Sequence, residues 1–284
     1  MSSKLPRKLF LLLVLFLLAY LTYPQTKFNK CTLPENLSRL SDIILGENFV
    51  QNKARSLFFE RITEDEREQF RNLMRVFHDK AGSNITYFLY AGSLLGSYSH
   101  HGMIPWDDDI DIIVRYADKE VLLKALESLA PRYEYTEGSS SWKFYQANSS
   151  EAGLKPWKWP YLDIFFYYEY PTYIQDAREE YKKFNTKDVF PLSTRPFMAM
   201  TLPAPRNTLE FLRVTYDIDM CKANSFDHKR EVHISCNYVT TLPCHLLRDR
   251  FPFVRRVKEG NKTVEILEDH LLLMAKEREH ETAQ

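Results

Sequence analysis

The sequence predicts an α/β protein, strands alternating with helices, behind an N-terminal membrane anchor. Two observations predict the strands and helices. Short runs rich in β-branched and aromatic residues, at 85–90, 109–114 and 160–168, alternate with stretches whose apolar residues recur at helical spacing. A length of 284 residues, 44% of them hydrophobic, is enough for one ordinary core and argues against disorder.

The third observation predicts the anchor. Lys4, Arg7 and Lys8 precede an uninterrupted apolar run at 9–23, an order that leaves residues 1–8 in the cytosol and carries the rest across the membrane. That run is shorter than the roughly 20 residues a bilayer core asks for, so a cleaved signal peptide is the rival reading. Against the rival, the residues after the run are bulky where a signal peptidase needs small ones. Residues 24–60, mixed in Pro, Asn, Lys and Ser, then read as a luminal stem. The body is expected at 61–255, and 256–284 as a charged C-terminal helix and tail.

The first body helix starts at Thr63, with Glu66 three residues on as a capping box, and buries Phe70, Leu73, Met74 and Phe77. Strand 85–90 runs into Ala91-Gly92-Ser93, a tight turn opening a short helix. A second strand follows at 109–114, then an amphipathic helix at 119–130 stopped by Pro131. A hairpin-like stretch around 142–146 leads to a third strand at 160–168. Residues 190–205 are punctuated by prolines and read as irregular, 209–216 as a helix, 217–244 as loops, and 263–279 as a charged helix.

Compartment signals agree with a luminal body. Four Asn-x-Ser/Thr sequons, at Asn36, Asn84, Asn148 and Asn261, all follow the apolar run. Cys31, Cys221, Cys236 and Cys244 fit disulfides better than zinc, because no CxxC knuckle occurs among them. Basic and acidic residues both number 38, so no global field draws the chain to nucleic acid.

The chemistry concentrates in "IPWDDDIDI" at 104–112. In a strand, residues at i and i+2 share a face, so Asp109 and Asp111 stand side by side among apolar neighbours. Two desolvated carboxylates repel, and a divalent cation, Mg²⁺ or Mn²⁺, is the simplest compensation. The plain alternative is a solvated acidic turn, which is how Asp107 and Asp108 read. Asp163 sits alone in an apolar row, and beside Asp109 and Asp111 it would complete a trio able to hold two metal ions, one activating an acceptor hydroxyl and one neutralising the leaving phosphate. Gly92 and Ser93, at a strand-to-helix junction, suit a phosphate. Among the cations, Lys143 and Arg195 are the better placed for substrate; Lys155, Lys158, His228, Lys229 and Arg230 read first as surface charges. The tryptophans read first as core.

The run "YAGSLLGSYSHHGMIPWDDDIDI", with "WPYLDIFFY" downstream, closely resembles the LicD/fukutin/fukutin-related protein family of the nucleotidyltransferase superfamily. The resemblance covers roughly 66–231, with further agreement in "LPAPRNTLEFLRVTYD" and "DHKRE". It implies a nucleotidyltransferase-like fold, a mixed β-sheet flanked by helices, with Gly92 and Ser93 matching the phosphate turn, Asp109 and Asp111 the metal pair, and Asp163 the third carboxylate. It also implies a CDP-linked donor, a glycan or glycoprotein acceptor, and transfer of a phospho-alditol or phosphocholine-like group by a type II membrane protein of the Golgi or ER. The chain departs from the family in three respects: Tyr216 is followed by Asp217 where relatives often carry Gly, no zinc-binding insertion is evident, and the sequence is shorter than the fukutins, without their large N-terminal domain. The rival readings are a glycosyltransferase with a DxD motif and a catalytically silent binding protein.

Overall fold

The structure, a computed structural model, describes residues 52–260 and 262–268. The anchor, most of the stem, Cys31 and the sequons at Asn36 and Asn261 lie outside the described residues. Among those described, no helix is long and apolar enough to cross a membrane.

Helix α1 (Glu64–Lys80) starts at the expected capping box: the Glu66 amide donates to Thr63 Oγ1 and the Thr63 amide to Glu66. Its apolar stripe packs edge-on against the sheet, Phe70 on Trp159 at 5.5 Å and Phe77 on Tyr87 at 5.2 Å. Strand β1 (Tyr87–Leu89) runs directly into helix α2 (Ala91–His100), and β2 (Ile110–Arg115) follows, then helix α3 (Lys119–Glu127). Strands β3 (Tyr133–Glu137), β4 (Trp142–Glu151) and β5 (Lys158–Glu169) complete the central order β1-β2-β5-β4-β3. The pair β2 and β5 is parallel and every other pair is antiparallel, so the sheet is mixed, as expected. Two short strands, β6 (Tyr173–Asp176) and β7 (Lys183–Asn185), extend it past the end of β5.

Cross-strand partners share a face, so register decides what each face carries. One face, with Ile112, Ile164, Trp142 and Phe144, lies under α1 and α3 and is apolar at these positions. The other begins apolar: Phe88 packs on Phe211 of a short helix, α5 (Thr208–Arg213), reached after one helical turn, α4 (Thr186–Val189). It ends polar. Asp111 of β2 pairs with Asp163 of β5, which pairs with Lys143 of β4, a row of three charged groups across three strands.

Several boundaries differ from those expected. Phe58 is fully buried and meets Trp106 edge-on at 5.0 Å, so the end of the expected stem belongs to the body. The stretch expected to be irregular forms a hairpin, β8 (Ser193–Phe197) with β9 (Met200–Ala204). Where a charged helix was expected from Thr263, Lys262–Glu268 is a strand paired with Phe253–Glu259. Its Glu265 draws it onto the body, accepting from Arg195, His101 and Arg256. In the segment read as loops, Met220–Lys222 pairs with Thr241–Pro243, and a disulfide joins Cys221 to Cys244. Cys236 is also disulfide-bonded. Together these residues form a second small core around Trp106, whose indole N–H donates to the Lys222 carbonyl at 3.0 Å.

Candidate active site

Asp109, Asp111 and Asp163 converge: one carboxylate oxygen of each lies within 4.8 Å of the others, and all three residues are buried. Asp109 arrives from the loop just before β2, Asp111 from β2 itself and Asp163 from the middle of β5. Burial and mutual repulsion act on their protons. Burial, then the neighbouring Asp111, holds the Asp109 carboxyl well above the usual carboxylate range. Burial, then Asp163 and Asp107, pushes Asp111 up to about 7, with His228 and Lys143 pulling the other way.

Asp163 answers whether the trio suits a cation. Its Oδ2 accepts from the Lys143 ammonium at 2.5 Å, while its Oδ1 is buried with no hydrogen-bond partner among the described residues. A buried carboxylate oxygen without a donor is costly, and three converging oxygens with one left open form a donor set that could hold a metal ion.

The turn before helix α2 is built around Asp111. The Gly92 amide donates to Asp111 Oδ2 at 3.1 Å, and the Asp111 amide donates to Ser93 Oγ at 2.8 Å. Gly92 and Ser93, expected at a phosphate turn, stand beside the trio, and the bonds they make go to Asp111. A Cβ on Gly92 would lie 2.8 Å from Asp107 Oδ2 and 3.4 Å from Asp111 Oδ2, so a side chain there would intrude on two carboxylates. Ala91 just before it has φ 39°, a left-handed conformation that a residue with a Cβ adopts at a cost. The α2 N-terminus, with its partial positive charge, faces these acids.

The residues read as an exposed acidic turn are corrected. Asp108 is buried and fully engaged: Oδ1 accepts from Asn224 at 2.9 Å and meets His228 Nδ1 at 2.8 Å, and Oδ2 accepts from the His228 amide at 3.0 Å. The other ring nitrogen of His228 lies 3.2 Å from Asp109 Oδ2. Burial alone would lower the His228 pKa, but Asp109 and Asp108 outweigh it and raise it to about 10, so the imidazole is a cation held between two carboxylates. Asp107 faces Gly92, its carboxyl raised chiefly by burial.

Of the two cations expected to meet substrate, Lys143 reaches the trio and Arg195 does not. The Arg195 guanidinium is committed to Glu265 and Ser97, because the terminal hairpin closes over it. Lys158 pairs with Glu151, Lys229 with Glu66 and Arg230 with Asp227. Trp106, Trp142 and Trp159 are buried core residues; Trp157 is half-buried, donating to Glu231, which also accepts from Tyr161. Sequence reasoning did not single out Tyr161 or Glu231. The only pointer was the "DHKRE" stretch, which supplies both His228 and Glu231.

A cavity of about 270 Å³ opens beside the acids, at the small end of ligand pockets, which run roughly 300–1,000 Å³. It extends from Gly92 and Asp107 past Trp106 and Tyr216 to Cys221 and Asn224. A larger cleft of about 420 Å³ around His78 and Tyr87 holds none of the converging carboxylates.

With this geometry in view, residues 84–207 match the family model described as LicD/FKTN/FKRP, nucleotidyltransferase domain. The chain carries a LicD-family domain. The matched span includes Gly92, Asp109, Asp111, Lys143 and Asp163, whereas His228 comes from beyond it, so the site is completed by residues outside the LicD match. Two uncharacterized proteins are also similar. One from Rickettsia typhi is 38% identical over 60 residues, 21% of this chain and 19% of its own length. One from Rickettsia prowazekii is 38% identical over 52 residues, 18% of each chain. The chain thus spans about a fifth of the length of these curated relatives.

Proposed function

We propose that this protein is a metal-dependent transferase of the nucleotidyltransferase fold that moves a phospho-alditol or phosphocholine-like group from a CDP-linked donor to a glycan hydroxyl. The observation that carries the reading is the unpartnered, buried Oδ1 of Asp163 facing the same centre as Asp109 and Asp111. The LicD match supports transferase chemistry.

In this mechanism Asp109, Asp111 and Asp163 hold Mg²⁺ or Mn²⁺, which when bound neutralises the donor phosphates. Gly92 and Ser93 fix the Asp111 carboxylate through its side chain and its amide, and His228 fixes Asp109 from the other side. Lys143 adds a positive charge beside the transferred phosphate. The cavity between Trp106, Tyr216 and Asn224 receives the donor's nucleoside. One carboxylate of the trio takes the proton of the acceptor hydroxyl. The hydroxyl oxygen then bonds to the phosphorus of the transferred group, the bond to the bridging oxygen breaks, and CMP leaves. Positioning and charge neutralisation carry most of the acceleration in such transfers.

The same proposal puts the body in the lumen of the Golgi or ER, on a type II single-pass anchor. The exposed sequon residues Asn84 and Asn148 and the Cys221–Cys244 disulfide support it. The test is donor screening of the full chain with glycan acceptors and Mg²⁺ or Mn²⁺. Release of CMP is expected; release of UDP or GDP instead would make it a sugar transferase and overturn the reading.

A further inference from the structure

Lys143 is an unusual neighbour for a metal centre. Its ammonium reaches Asp163 Oδ2 across the β4–β5 register and lies 4.4 Å from the centre of the Tyr161 ring and 5.6 Å from that of Trp157. Its side chain is only 14% exposed, so the charge is fixed in place by a carboxylate and two aromatic faces.

The consequence is electrostatic. Three carboxylates and one ammonium leave a formal charge of minus two, which one divalent ion neutralises. With Oδ2 taken, Asp163 offers a single free oxygen, Oδ1. On the opposite flank a second acidic group with metal-like spacing, Asp107, Asp108 and Asp109, already has His228 bound to Asp108 and Asp109. Of the oxygens a second ion could use there, Asp108 Oδ1 and Asp109 Oδ2 already face the His228 ring, and Asp108 Oδ2 accepts from the His228 amide.

We propose that Lys143 is the resident second cation of this site: Asp109, Asp111 and the free oxygen of Asp163 take one divalent ion, and the Lys143 ammonium supplies the charge neutralisation that a second ion supplies in two-metal sites. This rests on reading the trio as a metal centre. It adds the stoichiometry and the role of a residue that the family match does not assign.

The test counts Mn²⁺ bound per full chain by elemental analysis and titration calorimetry, with and without CDP. One ion per chain is expected in both conditions. In Lys143→Met, loss of the neighbouring positive charge tightens Mn²⁺ binding by about tenfold or more, whereas Lys143→Arg stays within about threefold of the natural chain. A merely structural lysine would do the reverse, its loss leaving Mn²⁺ affinity unchanged or weaker, and that result overturns the proposal. Two ions per natural chain with CDP would also overturn it while leaving the metal centre standing. No Mn²⁺ binding at all would remove both. The count on the natural chain decides the question even if Lys143→Met fails to fold.

Discussion

Asp108 and Asp163 are both buried aspartates in one acidic neighbourhood, yet the protein treats them in opposite ways. Asp108 is saturated by Asn224, by the His228 ring and by the His228 amide, all from a single later segment. Asp163 keeps one oxygen without any donor. The first is a fastening, finished by the chain itself; the second leaves an oxygen that no described residue meets, which the proposed metal centre would use. Burial and charge alone do not separate them. What separates them is whether the hydrogen-bonding capacity of each oxygen has been met.

The largest contrast comes from neutralising each side. Asp109→Asn or Asp111→Asn is expected to lower transfer at least about a thousandfold, and Asp111→Asn to leave thermal stability unchanged or raised, since it removes a charge that its neighbours repel. Asp108→Ala is expected to cost roughly 3 kcal/mol in folding, because His228 and Asn224 lose their buried partner. Paired melting curves and activity assays check this, and a stability loss in Asp111→Asn equal to that of Asp108→Ala would erase the distinction.

The second contrast lies in pH. Asp111 has a folded pKa raised to about 7, so in metal-free protein the folded state holds the extra proton. Its contribution is therefore most favourable below the unfolded value of about 3.9 and is lost as pH rises through about 7. His228 is raised to about 10, and the stability it adds is fully present below about 6.5 and lost as pH rises through about 10. The melting-temperature gain on adding Mn²⁺ should accordingly be larger at pH 7.5 than at pH 5, as a thermal-shift series would show. The smallest effect is expected at Gly92→Ala, whose Cβ would press on Asp107 and Asp111: Mn²⁺ affinity should fall about ten- to a hundredfold with little change in melting temperature.

How much of this was legible depended on how local the determinants are. The α1 start at Thr63 and Glu66 is a contact between residues three apart, and it stands as read. The alternation that put Asp109 and Asp111 on one side of a strand needs only the strand period. Asp108 was unreadable because the groups that bury it lie 116 and 120 positions away. Arg195 misled for the same reason: prolines around it suggested an open loop, while its partner Glu265 is 70 residues downstream. The terminal hairpin was missed because alternating charges such as Glu265 and Lys262 suit a helix face as readily as a strand edge, and only the pairing with Phe253–Glu259 decides between them.

That hairpin has a practical consequence for anyone producing the protein. Glu265 accepts from Arg195, His101 and Arg256, so one carboxylate near the last described residue gathers three basic side chains from three parts of the chain. An expression boundary drawn at 255, where the sequence alone would put it, deletes that carboxylate and leaves Arg195 and His101 beside helix α2 without their counter-charge. Such a truncation would be judged inactive for want of a catalytic group when what it had lost was the buttress behind the helix that carries Gly92.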